Sequence, residues 1–239
     1  MPKLPSLEEM LKSGMHFGHK KDRWHPKMEE YIFAERNGVH VIDLEKTLIK
    51  LEEALKFITD TVKSGGVILF VGTKNQAKSI VAEKAKECNM PYVSNRWLGG
   101  TLTNFPVILK IIKKYKDLMS KKETGGFKGY TKREQLGFEN DIIKLEGRVG
   151  GIQDLKKVPE AIFIIDTKHE KTAVTEANKR GIPLVAMCDS NVNPTKIDYV
   201  IPANDDATKG IELLTGLVVE AVKEGQAATK QATAAPVKK

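Results

Sequence analysis

The fold class is decided by residues 67–71, which read VILFV. An unbroken apolar run of strand length, rich in β-branched residues, is typical of a strand buried on both faces of a parallel sheet. The pattern returns as AIFII in residues 161–165 and as IPLVAM in residues 182–187. Between such runs, apolar residues recur in steps of three and four, for example across residues 44–62. Strands that alternate with amphipathic helices predict an α/β protein whose parallel sheet is sandwiched by helices.

Shorter strands and helices complete this prediction. We expect strands over residues 39–44, 91–94 and 199–201, and helices over about 76–88, 172–180 and 207–221. The sheet domain is predicted to be discontinuous, comprising residues 1–103 and 158–225. Residues 226–239 are rich in Ala, Thr and Lys and contain no large apolar residue except Val237, so they are predicted to form a disordered tail.

Residues 104–157 interrupt the alternation because they contain no strand pattern. Apolar residues from Phe105 to Met119, and again from Phe138 to Val149, recur in steps of three and four. A glycine-rich stretch, TGGFKG in residues 124–129, separates the two series. Two helices with facing apolar seams and a reversal between them predict an antiparallel coiled-coil hairpin, inserted into the sheet domain.

Composition excludes several classes of protein. The 239 residues are 41% hydrophobic, which is enough for a packed core and excludes global disorder. No apolar run approaches the roughly 18 residues of a membrane-spanning helix, and the N-terminus lacks the apolar region of a secretory signal. Two cysteines in separate segments make neither a disulfide framework nor a zinc ribbon, and they suit a reducing cytosol.

The positive charge is concentrated in one part of the chain. The net charge is +8, and residues 104–157 alone contain 13 basic and 7 acidic residues. A cationic arm of this kind can lie along phosphates and release their counterions, although a solvated helix flank has the same composition. The candidate phosphate contacts on the hairpin are Lys110, Lys113, Lys114, Lys132 and Arg133.

Two further segments combine cations with aromatic rings. Residues 16–27, HFGHKKDRWHPK, could hold phosphates and stack on unpaired bases, or their rings could pack against the edge of the sheet. Residues 95–104, NRWLGGTLTN, follow a strand where ligand loops occur, and Arg96 could bind a phosphate bidentately. The alternative is a hinge that leads into the hairpin, with Trp97 packed inside; both interpretations can hold together.

Signals for catalysis or metal binding are weak. Residues 70–74, FVGTK, suggest a phosphate cradle but lack the spacing of a P-loop or of a dinucleotide-binding motif. A nucleotide- or sugar-phosphate-binding enzyme therefore stays as the alternative function. A metal site of mixed histidine and carboxylate ligands is a further alternative. Its candidate ligands are His16 and His19 with Asp189, Asp205 or Asp206, which lie near strand ends. We expect no resident metal, no cofactor and no catalytic activity.

Five motifs in register carry a resemblance to a known family. They are GMHFGH (14–19), WHPKM (24–28), FVGTK (70–74), RWLGGTLTN (96–104) and IPANDDA (201–207). Together they closely resemble the second protein of the small ribosomal subunit in its bacterial form, over residues 5–225. The resemblance implies a flavodoxin-like fold with an inserted coiled-coil hairpin, a place in the cytoplasmic small subunit and no catalytic activity.

The resemblance also implies partners and contact residues. The expected partners are small-subunit rRNA, at the back of the subunit between head and body, and neighbouring ribosomal proteins. Among these is the large OB-repeat protein that captures mRNA, recruited chiefly through the N-terminal helix and the sheet domain. No membrane and no small-molecule substrate are expected. The RNA contacts carried over from the motifs are Lys20, Lys21, Arg23, Trp24, Lys27, Lys74, Arg96 and Trp97.

Overall fold

A computed structural model of the chain describes residues 2–234. Its strands are β1 (Phe17–Lys20), β2 (Ile32–Arg36), β3 (Val39–Ile42), β4 (Ile68–Val71), β5 (Tyr92–Val93), β6 (Ala161–Ile165), β7 (Leu184–Cys188) and β8 (Tyr199–Pro202). Its α-helices are α1 (Leu7–Lys12), α2 (Leu44–Lys63), α3 (Lys78–Glu87), α4 (Phe105–Glu123), α5 (Lys132–Val149), α6 (Lys171–Arg180) and α7 (Thr208–Ala234).

The central sheet has five parallel strands in the order β5-β4-β6-β7-β8. In chain order this is 2-1-3-4-5, the order of the flavodoxin-like fold, so the predicted α/β class is confirmed. The order reverses direction between β4 and β6, where Phe70 lies opposite Phe163. Ligands of such folds bind beyond the carboxyl ends of the strands at this reversal.

Two apolar cores lie on the two faces of the central sheet. Successive strand residues point to opposite faces, and Phe70 and Phe163 accordingly pack with α2, α3 and α7. Leu69 and Ile164 point the other way, toward α6 and the apolar residues at the base of α4 and α5. Burial on both faces explains why β4, β6 and β7 contain almost only apolar residues.

A second, antiparallel sheet with the order β1-β3-β2 was not predicted. Residues 39–44 do contain a strand, but β3 pairs with β1 and β2 instead of extending the parallel sheet. Asn37 and Gly38 form the turn between β2 and β3, both with positive φ, of 53° and 73°. Asn-Gly is a strong hairpin signal, but β2 is largely exposed and shows no apolar alternation beside it.

Helices α4 and α5 lie between β5 and β6, as expected, and pack against each other. Phe127 in the connecting loop stacks on Phe138 of α5, with ring centroids 4.8 Å apart. The side chain of Thr131 accepts a hydrogen bond from the backbone of Glu134 in a capping box, which fixes the start of α5. The coiled-coil supercoil of this hairpin and the proposed domain boundaries stay predictions.

The C-terminal helix is longer than predicted. Helix α7 continues to Ala234, so the disordered tail is wrong for residues 226–234, and residues 235–239 lie outside the described part. The side chain of Gln226 donates to the carbonyl oxygen of Cys88 at 2.7 Å, and Thr229 donates to that of Val62 at 3.2 Å. Alanine has high helix propensity, and these contacts hold the added turns against the body.

Candidate nucleic-acid interface

The five predicted hairpin cations are all exposed. Lys110, Lys113 and Lys114 lie on the solvent side of α4, because the buried seam of that helix is formed by other residues, including Ile112. Lys132 and Arg133 occupy the first turn of α5. None of the five forms an ion pair with residues 2–234, whereas Lys116 pairs with Asp154 at 2.9 Å. The charge of these five side chains is therefore free for an external anion.

The N-terminal loop, residues 16–27, presents its cations at the surface. Lys20, Arg23 and Lys27 are exposed. Lys21 is also exposed, but its ammonium lies 2.9 Å from the Glu35 carboxylate, and this hydrogen bond raises the pKa of Lys21. An exposed pair of this kind is weak, so Lys21 can exchange Glu35 for a phosphate at little cost.

Trp24 is half-buried and not fully available for base stacking. Its ring lies 5.1 Å from the ring of His40 between centroids, so one part of the indole packs inside the loop. The backbone amide of His25 donates to the carbonyl oxygen of Ser190 at 2.8 Å. The loop is thus fixed against the carboxyl end of β7, and Trp24 takes part in this packing, while its stacking on a base stays a prediction.

Lys74 is an exception among the predicted RNA contacts. Its ammonium lies 2.8 Å from Asp205, 2.6 Å from Asp206 and 3.2 Å from Asp166, and its side chain is only 17% exposed. Burial alone would lower the pKa of Lys74, but the hydrogen-bonded carboxylates raise it. Three carboxylates already neutralise the charge of Lys74 in this conformation, which disfavours an RNA contact, so that contact stays a prediction.

Around Lys74 lies an acidic cluster, comprising Asp166, Asp189, Asp205 and Asp206. Burial, together with Asp166 and Asp189, raises the pKa of Asp205 to about 7. His19 lies 3.0 Å from Asp189, and that hydrogen bond raises the pKa of His19. Within the described residues, no group of three or more His, Cys, Asp or Glu side chains has the geometry of a metal site.

The suggested phosphate cradle after β4 is closed by carboxylates. The backbone amide of Thr73 donates to Glu170 at 2.9 Å, and the Thr73 hydroxyl also donates to Glu170. In a phosphate cradle such donors would point at the ligand. With Glu170 and Asp166 at this point, a bound phosphate would meet negative charge, which argues against nucleotide binding at this loop.

Trp97 and the glycine-rich segment after it surround the buried carboxylate of Glu176. The indole nitrogen of Trp97 donates to Glu176 at 3.1 Å, and so do the backbone amides of Gly100 at 2.7 Å and Leu102 at 3.0 Å. The backbone and hydroxyl of Thr103 add two more hydrogen bonds. Trp97 is 8% exposed and packed inside, which disfavours stacking on RNA, so its RNA contact stays a prediction. Arg96 beside it is exposed.

The sequence of this chain is similar to known proteins over most of its length. A family profile described as Ribosomal protein S2 matches residues 10–225. The small ribosomal subunit protein uS2 of Mycobacterium leprae is 49% identical over 220 residues, which cover 92% of this chain and 79% of the relative. The protein of the same name from Mycobacterium ulcerans is 48% identical, over 92% of this chain and 80% of the relative. The chain belongs to the ribosomal protein S2 family.

Membership of the S2 family confirms the resemblance carried by the five motifs. The chain is a structural protein of the small ribosomal subunit rather than an enzyme, and it takes part in translation in the cytoplasm. Its partners are other components of that subunit. Among residues 2–234, no helix combines the length and apolar character needed to cross a membrane.

Sequence reasoning missed two residues that shape this S2-family chain. Glu176 and Arg180 both lie on α6, and Arg180 donates to the carbonyl oxygen of Leu102 at 2.8 Å. Each reads as an ordinary charged residue on a helix face. Glu176 is distinguished only by its burial, since it is 6% exposed. Apolar periodicity does not predict that one charged position of a helix is buried.

Proposed function

We propose that this S2-family chain binds small-subunit rRNA, with the hairpin (residues 104–157) acting as a cationic arm on the sheet domain (residues 1–103 and 158–225). The observation that carries the proposal is the set of five hairpin cations that are exposed and without ion pairs among residues 2–234. Lys20, Arg23, Lys27 and Arg96 extend the same charge to the body. Each phosphate that a cation neutralises releases counterions, and this release drives binding.

The exposed cations set the position of the RNA, whereas the fold sets its orientation. Phosphate contacts fix how a protein sits on an RNA but do not read sequence. The Glu176 carboxylate holds the segment that leads into α4, so the start of the hairpin has a defined direction relative to the sheet. Recognition then depends on the shape of the folded RNA, which is how proteins read double-stranded regions.

The test is filter binding of the full chain to small-subunit rRNA at several salt concentrations. Lys113→Glu combined with Lys114→Glu removes two candidate phosphate contacts. The slope of log affinity against log salt should fall by about 1.4 to 1.8, since each contact contributes about 0.7 to 0.9. The matched control is Lys56→Glu with Lys63→Glu, two exposed lysines of α2. The proposal would be refuted if the two variants gave equal slopes of log affinity against log salt, or if the affinity of the unaltered chain did not change with salt.

We further propose that the chain helps to recruit the large OB-repeat mRNA-binding protein through α1 and the sheet domain. Leu7 and Leu11 are large, exposed and four residues apart, so they share one face of α1. Phe17, just after this helix, is 53% exposed. Large exposed apolar side chains such as these are typical of a protein contact.

A pull-down with the purified OB-repeat protein tests the second proposal. Leu7→Ser with Leu11→Ser should lower retention about tenfold or more, since each large apolar contact contributes one or more kcal/mol. Leu136→Ser, on the exposed face of α5, is the control and should leave retention unchanged. Retention that is unaffected by the α1 changes would contradict this route of recruitment.

A further inference from the structure

A second cationic feature lies at the carboxyl edge of the central sheet, outside the segments that the sequence singled out. A cleft of about 200 Å³ opens between the segments that follow β6 and β7. Lys168 follows β6, Lys171 begins α6, and Lys196 precedes β8. All three ammonium-bearing side chains line the cleft and are exposed. None of them forms an ion pair within residues 2–234.

The inner wall of the cleft is apolar. It consists of Val174 from α6, Val192 after β7 and Ile197 before β8. Of the described residues that line the cleft, none is an aspartate or a glutamate. An apolar wall with a cationic rim suits a ligand that has a flat apolar face and a negatively charged group, which are the two parts of a nucleotide.

A buried amide oxygen gives the cleft a third feature. Asn191 lines the cleft, and its side-chain oxygen, which is buried, accepts no hydrogen bond within the described part of the chain. A buried acceptor without a donor is costly, so a partner is expected to satisfy it. The amino or imino groups at the edge of a base are donors of the required kind.

The charge pattern along this edge favours one occupant. The four aspartates of the acidic cluster follow β6 (Asp166), β7 (Asp189) and β8 (Asp205 and Asp206), and around Lys74 and His19 they would repel a phosphate. The cleft between the segments that follow β6 and β7 is the cationic part of the same edge. An acidic peptide could use the lysines, but it would offer no flat apolar group for Val174 and Val192. An unpaired nucleotide satisfies the lysines, the apolar wall and Asn191 together.

We infer that the cleft between Lys168, Lys171 and Lys196 binds one unpaired nucleotide of small-subunit rRNA. The base lies against the apolar wall and donates to Asn191, and the adjoining phosphates contact the lysines. This assignment rests on the proposed rRNA binding, and it places a contact on the sheet domain, separate from the hairpin. It requires a single-stranded bulge or loop, because paired bases could not enter the cleft.

The first test measures rRNA affinity against salt for Lys171→Gln with Lys196→Gln. The slope should fall by about 1.4, at about 0.7 for each phosphate of a single strand. Lys56→Gln with Lys63→Gln, on α2, should leave it unchanged. If the cleft variant behaves like this control while the hairpin variant loses binding, the cleft assignment fails and the proposed function stands. If the unaltered chain shows no salt-dependent binding, the proposed function fails as well.

The second test identifies what occupies the cleft. Cys88 and Cys188 are buried, so a benzophenone maleimide will label an introduced exposed cysteine selectively. Thr175→Cys lies at the cleft, and Ser64→Cys lies at the end of α2 as a matched control. In assembled small subunits, light should link the Thr175→Cys probe to rRNA in a single-stranded region, with little linkage from the control. Linkage to a protein, or saturable binding of free AMP or UMP without rRNA linkage, would overturn the assignment.

Discussion

At the scale of single residues, Glu176 determines the path of the chain between Trp97 and Thr103. Its carboxylate accepts five hydrogen bonds, all from the RWLGGTLTN segment. The donors are three backbone amides, the Trp97 indole and the Thr103 hydroxyl. Gly100 has φ +91°, a conformation that glycine adopts readily and other residues resist. The segment therefore wraps around a charge supplied by α6, and the tryptophan and glycines serve that wrapping.

Removal of this carboxylate should destabilise the whole protein. Glu176→Ala leaves several buried donors unpaired, so we expect a loss of about 3 kcal/mol in the free energy of unfolding, measured by urea denaturation. Glu176→Gln keeps the size but presents an amide N–H to another donor, and it should cost somewhat less. Glu220→Gln, at an exposed position of α7, is the control. A change below about 0.5 kcal/mol for Glu176→Ala would contradict the role assigned to it.

The acidic cluster predicts a pH dependence of stability. Asp205 has a raised pKa, about 7, so the folded state holds a proton that the unfolded state releases near pH 4. The raised pKa of His19 acts in the same direction, because its protonated form is stabilised by Asp189. Both groups therefore stabilise the fold at lower pH and lose that contribution as pH rises through their folded pKa values.

The free energy of unfolding should fall by about 1 kcal/mol or more between pH 6 and pH 8. Asp205→Asn should flatten this dependence, because the variant no longer takes up a proton at that position. Asp141→Asn, at an exposed position of α5, should leave the dependence intact. Stability that does not fall between pH 6 and pH 8 in the unaltered chain would show that the folded state holds no such proton.

At the scale of helices and strands, we expect the C-terminal end of α7 to contribute to the stability of the fold. Hydrogen bonds from Gln226 and Thr229 to the carbonyl oxygens of Cys88 and Val62 tie this end to the body. Truncation after Gly225 should therefore lower the free energy of unfolding by about 1 to 2 kcal/mol, whereas truncation after Thr229 should cost less. Thermal melts of both truncated chains test this, and equal melting temperatures would show that the contacts contribute nothing.

The elements differed in how far the sequence could predict them. The buried strands and the hairpin helices followed from apolar periodicity, because burial on one or both faces imposes that periodicity directly. The antiparallel sheet and the end of α7 escaped prediction because they are stabilised by pairing and docking with distant segments. Among the candidate contacts, Lys113 is exposed as expected, whereas Lys74 and Trp97 are engaged by partners that the sequence did not indicate. Their partners, Asp205 and Glu176, lie 131 and 79 residues away in the chain.

At the scale of the whole molecule, the residues that carry the exposed positive charge are different from the residues that stabilise the fold. The sheet domain folds around two apolar cores, with Lys74 held by ion pairs and Glu176 by hydrogen bonds from neutral donors. The exposed cations of the hairpin take no part in either core. Charge reversal on α4 should therefore weaken association with rRNA and leave the melting temperature almost unchanged, which distinguishes a loss of binding from a loss of folding.

The most direct test of the account is sedimentation of the tagged chain through sucrose gradients of cell extract. The chain should migrate with small ribosomal subunits at one copy per subunit, and it should leave them as salt is raised, because the contact depends on released counterions. The chain with Lys113→Glu and Lys114→Glu should leave at lower salt. A chain that stays at the top of the gradient at low salt, or that stays bound regardless of salt, would contradict the central claim.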